Sequence, residues 1–147
     1  MAVGQDPIGA FHFSLDVQGI EMATFTEASG FENTTEVIEY RDVDKDGKIY
    51  IRKTFGGTKW GDLTLKRGAT SDNSLFDWRQ HVLDGNYDEA RKDGTITGRN
   101  PQGIPVIQYT FTRGWISKYT GPSFSAKGNE TAVESIVITH EGLKRTL

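Results

Sequence analysis

Runs in which apolar and polar residues alternate at every second position recur along most of this chain, and one stretch alone breaks into helical spacing. Phe11, Phe13, Leu15 and Val17 alternate with His12, Ser14 and Asp16. Over Lys48–Phe55, Ile49, Ile51 and Phe55 fall on one face and Tyr50, Arg52 and Thr54 on the other. Leu63 and Leu65 alternate with Asp62, Thr64 and Lys66. A period of two sends neighbouring side chains to opposite faces of a pleated strand, so these runs predict half-buried strands. Further strands are predicted at Met22–Phe31, Thr35–Asp42, Gly94–Gly98, Ile104–Tyr119 and Ala132–His140, with Gly114 marking a bend or bulge. Ile and Val together number 19 against 7 Leu, and 16 Thr join them. Branching at Cβ suits a pleated surface and crowds a helix, so the bias supports the strand reading.

The exception is Asn73–Leu83, where Leu75, Trp78 and Val82 recur at helical spacing, flanked by Phe76 and Leu83. Asp72 or Ser74 is placed to cap its start, and Gly85 sits where a helix ends. Trp78 belongs in a core. The fold class is therefore mainly β: an antiparallel β-barrel or sandwich with one amphipathic α-helix, in a single domain over 1–147. At 16.4 kDa such a chain buries roughly 70% of its unfolded surface, enough for a sizeable core.

Several function classes fall away on composition. With no cysteine there are no disulfides, thiol nucleophiles or cysteine-based metal centres. No apolar run approaches the roughly 20 residues of a membrane helix, so no membrane anchoring is expected. The first residues lack a basic segment followed by an apolar one, which predicts synthesis and folding in the cytoplasm. The Asn33-Thr34-Thr35 and Asn129-Glu130-Thr131 sequons then carry no meaning. Charge is uneven. Residues 1–40 carry seven acidic side chains and no Lys or Arg, a net −7, and the rest carries 17 basic against 13 acidic, a net +4. Within it, 48–67 holds Lys48, Arg52, Lys53, Lys59, Lys66 and Arg67 against Asp62. Either the two regions pair within one molecule, or they pair between copies, where complementary patches fix orientation.

Asp42-Val43-Asp44-Lys45-Asp46-Gly47 opens like a calcium loop, but Lys53 stands where a bidentate glutamate is needed and strand sequence follows. An acidic hairpin tip closed by Asp-Gly is the plainer reading; a weak calcium site at Asp42, Asp44 and Asp46 is the alternative. Gly56-Gly57-Thr58-Lys59 lacks phosphate-loop spacing and predicts a loop between two strands. His12, His81 and His140 lie far apart without metal spacing, so no metal or cofactor is expected. No nucleophile elbow or acid/base pair stands out, and no catalytic residue is assigned. Tyr50, Phe55 and Trp60 among the basic residues of 48–67 suggest single-stranded nucleic-acid binding, against which stands a pI near 5.6. A monomeric small-ligand or nucleic-acid binding barrel stays open as a further alternative.

Two longer motifs go beyond composition. Trp115–Pro122 followed by Gly128–Leu143 is an aromatic-tipped strand, a Gly-Pro turn, a small-residue loop and a long terminal strand. Ile51–Gly68 runs from a basic strand through a Gly turn and Lys-aromatic to a T-L-K-R-G strand end, with the helix of Asp72–Gly85 after it. Asp6–Phe13 and Ser29-Gly30-Phe31 fit the same pattern. Over nearly its whole length the chain resembles the tail-tube proteins of contractile phage tails and contractile injection systems. The resemblance implies a tail-tube, Hcp-like fold whose copies form hexameric rings stacking into a hollow inner tube, a conduit that a contracting sheath drives through a target envelope. It implies a structural protein rather than an enzyme. Its partners would be further copies of itself, the sheath protein, baseplate and tube-terminating proteins, and cargo or DNA in the lumen; its place would be a phage virion tail or an injection particle. Lys48–Arg67 maps onto the family's extended hairpin and adjoining strand, so Arg52, Lys53, Lys59, Lys66 and Arg67 are expected as subunit contacts, with Glu36 and Glu39 of the acidic third as counterparts. Trp115, Lys118 and Tyr119 are expected to support the fold near an interface. Asp42–Gly47 is more acidic than the usual hairpin tip of the family.

Overall fold

The computed structural model describes residues 12–18, 20–68, 72–123 and 132–147. The order of elements is β1 (His12–Val17), β2 (Ile20–Phe25), β3 (Glu27–Ser29), β4 (Asn33–Val43), β5 (Ile49–Trp60), β6 (Leu63–Gly68), α1 (Ser74–Leu83), α2 (Tyr87–Ala90), β7 (Lys92–Arg99), β8 (Pro105–Thr120), β9 (Val133–Thr139) and β10 (Gly142–Arg145). The backbone separates into two units, residues 32–61 and the remainder.

The larger unit holds one antiparallel sheet ordered β2-β1-β7-β8-β9-β6-β3, with β10 also paired to β8. Strand β8 is long enough to serve two neighbourhoods. Tyr109–Thr112 pair with β10 and Trp115–Thr120 with β9, while residues up to Gly114 pair with β7. The register with β7 slips around Arg113, whose φ of 49° is left-handed, and its N–H donates to Asp93 Oδ1 at 2.9 Å. This is the bulge predicted at Gly114, and the glycine has a steric reason: a Cβ there would lie 2.5 Å from the Phe111 ring. One core results, drawing Leu15, Phe25, Ile96 and Phe111 from one end of the strand order and Leu63, Leu65, Ile116, Ile136 and Ile138 from the other. Each of these side chains contributes about 1.5–3 kcal/mol by leaving water.

Helix α1 packs on β8 and lays Leu75 and Trp78 into that core. The Trp78 indole N–H donates to the Ala90 carbonyl at 2.7 Å, which ties α1 to α2. Arg79 donates to the Ile116 carbonyl at 2.7 Å. At the helix start, Asp72 Oδ1 accepts from the Ser74 N–H at 3.0 Å. Its end closes on Gly85 by Gly85 N–H to Val82 and Asn86 N–H to His81 carbonyls, a Schellman pair.

Four expectations need correction. Met22–Phe31 is two strands: Phe25 still pairs with Phe13, but the Thr26 N–H already donates to the Lys66 carbonyl, so the chain leaves β1 for β6 there. Gly56–Lys59 lies inside β5 and is not a loop. A second, four-residue helix, α2, follows the one predicted, and β10 pairs with β8 beyond the last predicted strand at His140. Phe11, the motif Asp6–Ala10 and Gly128–Thr131 lie outside the described residues.

Candidate assembly surface

The smaller unit is a long two-stranded hairpin, β4 with β5, paired from Asn33↔Trp60 to Val43↔Ile49. Its tip is a tight turn in which Asp44 N–H donates to Lys48, Gly47 N–H donates to Asp44, and Gly47 takes a φ of 82°. The Asp44 carboxylate accepts from the Asp46 and Lys48 N–H groups at 2.9 and 2.8 Å. Asp42 faces Arg52 at 3.7 Å and Tyr50 at 3.3 Å. The acidic tip is thus organised by its own backbone and neighbours, as an Asp-Gly turn requires. Among the described residues no three His, Asp or Glu side chains form a metal-ligand group.

Between Thr35↔Thr58 and Val37↔Phe55 the register slips, so Glu36 stands opposite both Gly56 and Gly57. A Cβ on Gly56 would lie 3.0 Å from Glu36 Cβ, which explains a glycine at that point of a strand. The bulge keeps alternation intact on either side. One face carries Val37, Val43, Ile49, Ile51 and Phe55 with the Glu39–Lys53 pair at 3.7 Å; the other carries Ile38, Tyr40, Tyr50, Asp42, Arg52 and Lys59. All five apolar side chains of the first face are exposed, and Phe55 is 88% exposed.

The expected contact residues do not form one group. Lys53 and Glu39 pair with each other on the apolar face; Arg52 lies on the opposite face over Tyr50, 5.9 Å from its ring. Hydrogen bonding to Tyr50 raises the Arg52 pKa further. Lys59 and Glu36 have no ion-pair partner among the described residues. In the larger unit, Lys66 faces Glu27 at 3.9 Å at the surface.

Arg67 behaves differently and does not belong with them. It is 5% exposed and its guanidinium pairs with Glu134, itself 6% exposed, across the β6–β9 register. Asp72 takes a second side of it at 3.6 Å, and the Tyr119 hydroxyl donates to the free Glu134 oxygen at 2.7 Å. That hydrogen bond, reinforced by burial, raises the Tyr119 pKa above 10. The Ser74 hydrogen bonds lower the Asp72 pKa. Arg67 is a buried structural cation; the alternation that sends Leu63 and Leu65 inward places it on the same face, a signal masked by the run of bases around it. Tyr119 supports this cluster; Trp115 lies beside α1 and α2 at a small pocket with Val82, Tyr87 and Ala90. No helix among the described residues is long and apolar enough to cross a membrane.

Comparison with known proteins gives the arrangement its context. Residues 9–144 match the family model of the T4-like virus tail tube protein gp19. No curated relative matches the chain significantly. Among solved structures, a chain of the PVC extracellular contractile injection system, in its extended sheath–tube complex, is 25% identical with a TM-score of 0.75, covering 95% of this chain and 91% of that one. A chain of the anti-feeding prophage tube-terminating cap is 24% identical with a TM-score of 0.75, covering 99% and 95%. Hcp1 from Flavobacterium johnsoniae shares the fold at 18% identity and a TM-score of 0.55, covering 92% and 94%. The family match spans nearly the whole chain, so this chain belongs to the T4-like virus tail tube family and is an inner tube protein of contractile tails and injection systems.

Proposed function

We propose that copies of this chain close into hexameric rings, that the rings stack into a hollow tube, and that sheath contraction drives this tube through a target envelope. The observation that carries the proposal is the apolar face of the β4–β5 hairpin. Five exposed apolar side chains on one face of a two-stranded ribbon form a surface that soluble monomers seldom leave in water. Two strands alone are marginally stable, so such a ribbon gains most when a neighbour covers it. Sheath, baseplate and tube-terminating proteins are the partners this reading implies, because similar chains occur in a sheath–tube complex, a baseplate and a terminating cap. The lumen would carry cargo or DNA, the chain would act without catalysis, and synthesis would be cytoplasmic, before incorporation into a phage tail or injection particle. Arg52, Lys53, Lys59 and Lys66, with Glu36 and Glu39, are assigned as contacts that orient one copy on the next.

The test is negative-stain microscopy of concentrated protein beside light scattering for mass. Six-fold rings or stacked hollow tubes are expected. A monodisperse monomer at every concentration would overturn the assembly reading.

A further inference from the structure

The larger unit contains an open apolar cavity of about 180 Å³, lined chiefly by Phe13, Ala28, Phe31, Gly98, Ile107 and Tyr109. It lies against the core: Phe13, Ala28 and Phe31 pack on the buried cluster. Phe31 and Tyr109 are stacked with ring centroids 4.6 Å apart. Gly98 contributes no side chain, which leaves room. An apolar cavity of roughly 150 Å³ is enough to accept a benzene ring, and aromatic walls favour a further ring by edge or offset contact. The chain itself presents such a ring. Among the described residues Phe55 is the most exposed large apolar side chain, and it sits at the hairpin bulge on the apolar face.

We propose that Phe55 of one copy enters this cavity on a second copy, forming a knob-in-hole contact of the assembled tube. The inference rests on the tube reading and adds to it the two partner surfaces. In the tube the contact is heterologous: each copy uses its knob on one neighbour and its hole on another, which propagates to a ring or a stack, whereas two copies exchanging knobs would close as a dimer. The surroundings agree. An adjoining cleft that shares Phe13 and Ala28 is edged by the Glu27–Lys66 pair, and Phe55 shares its face with the Glu39–Lys53 pair. Each side therefore offers one acid and one base, and a docked register that matches opposite charges is available. A central aromatic anchor in a pocket with a charged rim is the arrangement in which single residues dominate binding.

The experiment replaces Phe55 by the photo-crosslinking benzoylphenylalanine, which keeps an aromatic knob, in an equal mixture of isotopically light and heavy protein. After assembly and irradiation, heavy–light crosslinks to the peptide around Ala28–Phe31 or Ile107–Tyr109 are expected. In parallel, Phe55→Ala should raise the concentration needed for ring formation at least about tenfold, and Phe55→Leu should recover most of the loss. The monomer should keep its circular dichroism spectrum in both. Rings whose crosslinks map elsewhere, or only within one isotopic species, would overturn the contact while leaving the tube reading intact. Failure of the unaltered chain to form any ring, seen by microscopy, would overturn both.

Discussion

Arg67 shows how much one residue's meaning depends on where the fold puts it. Its sequence neighbours Lys66 and Lys59 are exposed bases, and on local pattern all three belong to one positive stretch. Alternation along β6 turns Lys66 outward and Arg67 inward, where Glu134, Asp72 and Tyr119 converge on it and Phe25 lies 5.9 Å from its guanidinium. A buried pair of this kind adds little net stability over an apolar pair of similar shape, but losing one partner strands the other's charge. Arg67→Met is therefore expected to lower unfolding free energy by about 3–5 kcal/mol, measured by urea denaturation. The double variant Arg67→Met with Glu134→Leu should recover a large part of that. Equal losses in single and double variants would show that packing, and not the stranded carboxylate, sets the cost.

At the level of elements, the strands were legible because period-two alternation is a local property, and the helix because Leu75 and Trp78 fall one turn apart on its buried side. What escaped the sequence depends on pairing. Thr26 divides a continuous strand pattern only because β6 offers its Lys66 carbonyl there. Gly56-Gly57 reads as a turn until β4 lies alongside, when it becomes a bulge facing Glu36. Gly114 was legible as a bend but not as a packing site. There the backbone passes so close to the Phe111 ring that a methyl group would sit 2.5 Å from it. Gly114→Ala is expected to cost about 1–3 kcal/mol by overpacking, seen as a lower thermal midpoint, with little change if the ring can move aside.

For the whole molecule, the charge asymmetry noted along the chain resolves partly within it, as Glu39 meets Lys53 and Glu27 meets Lys66, while Asp42 and Arg52 pair inside the basic part. These pairs are exposed, so solvent screening leaves each of them worth little to folding. Reversing Arg52 and Lys53 together to Glu should thus leave the monomer folded, by circular dichroism, while blocking rings and tubes. Normal tubes from that variant would remove these two residues from the assembly surface. They stand on opposite faces of the hairpin, so the single substitutions Arg52→Glu and Lys53→Glu would show which face the neighbour covers. The sequence by itself determined the mainly antiparallel class, the one long helix and the family, because alternation, helical spacing and the T-L-K-R-G and terminal motifs are all short-range patterns. Only the tertiary structure decided which partners a buried charge meets, that Gly56-Gly57 is a bulge and not a loop, and that an exposed Phe55 and an open aromatic cavity coexist on one chain. Those are relations between segments distant in sequence, set by strand register and packing, and no local pattern encodes them.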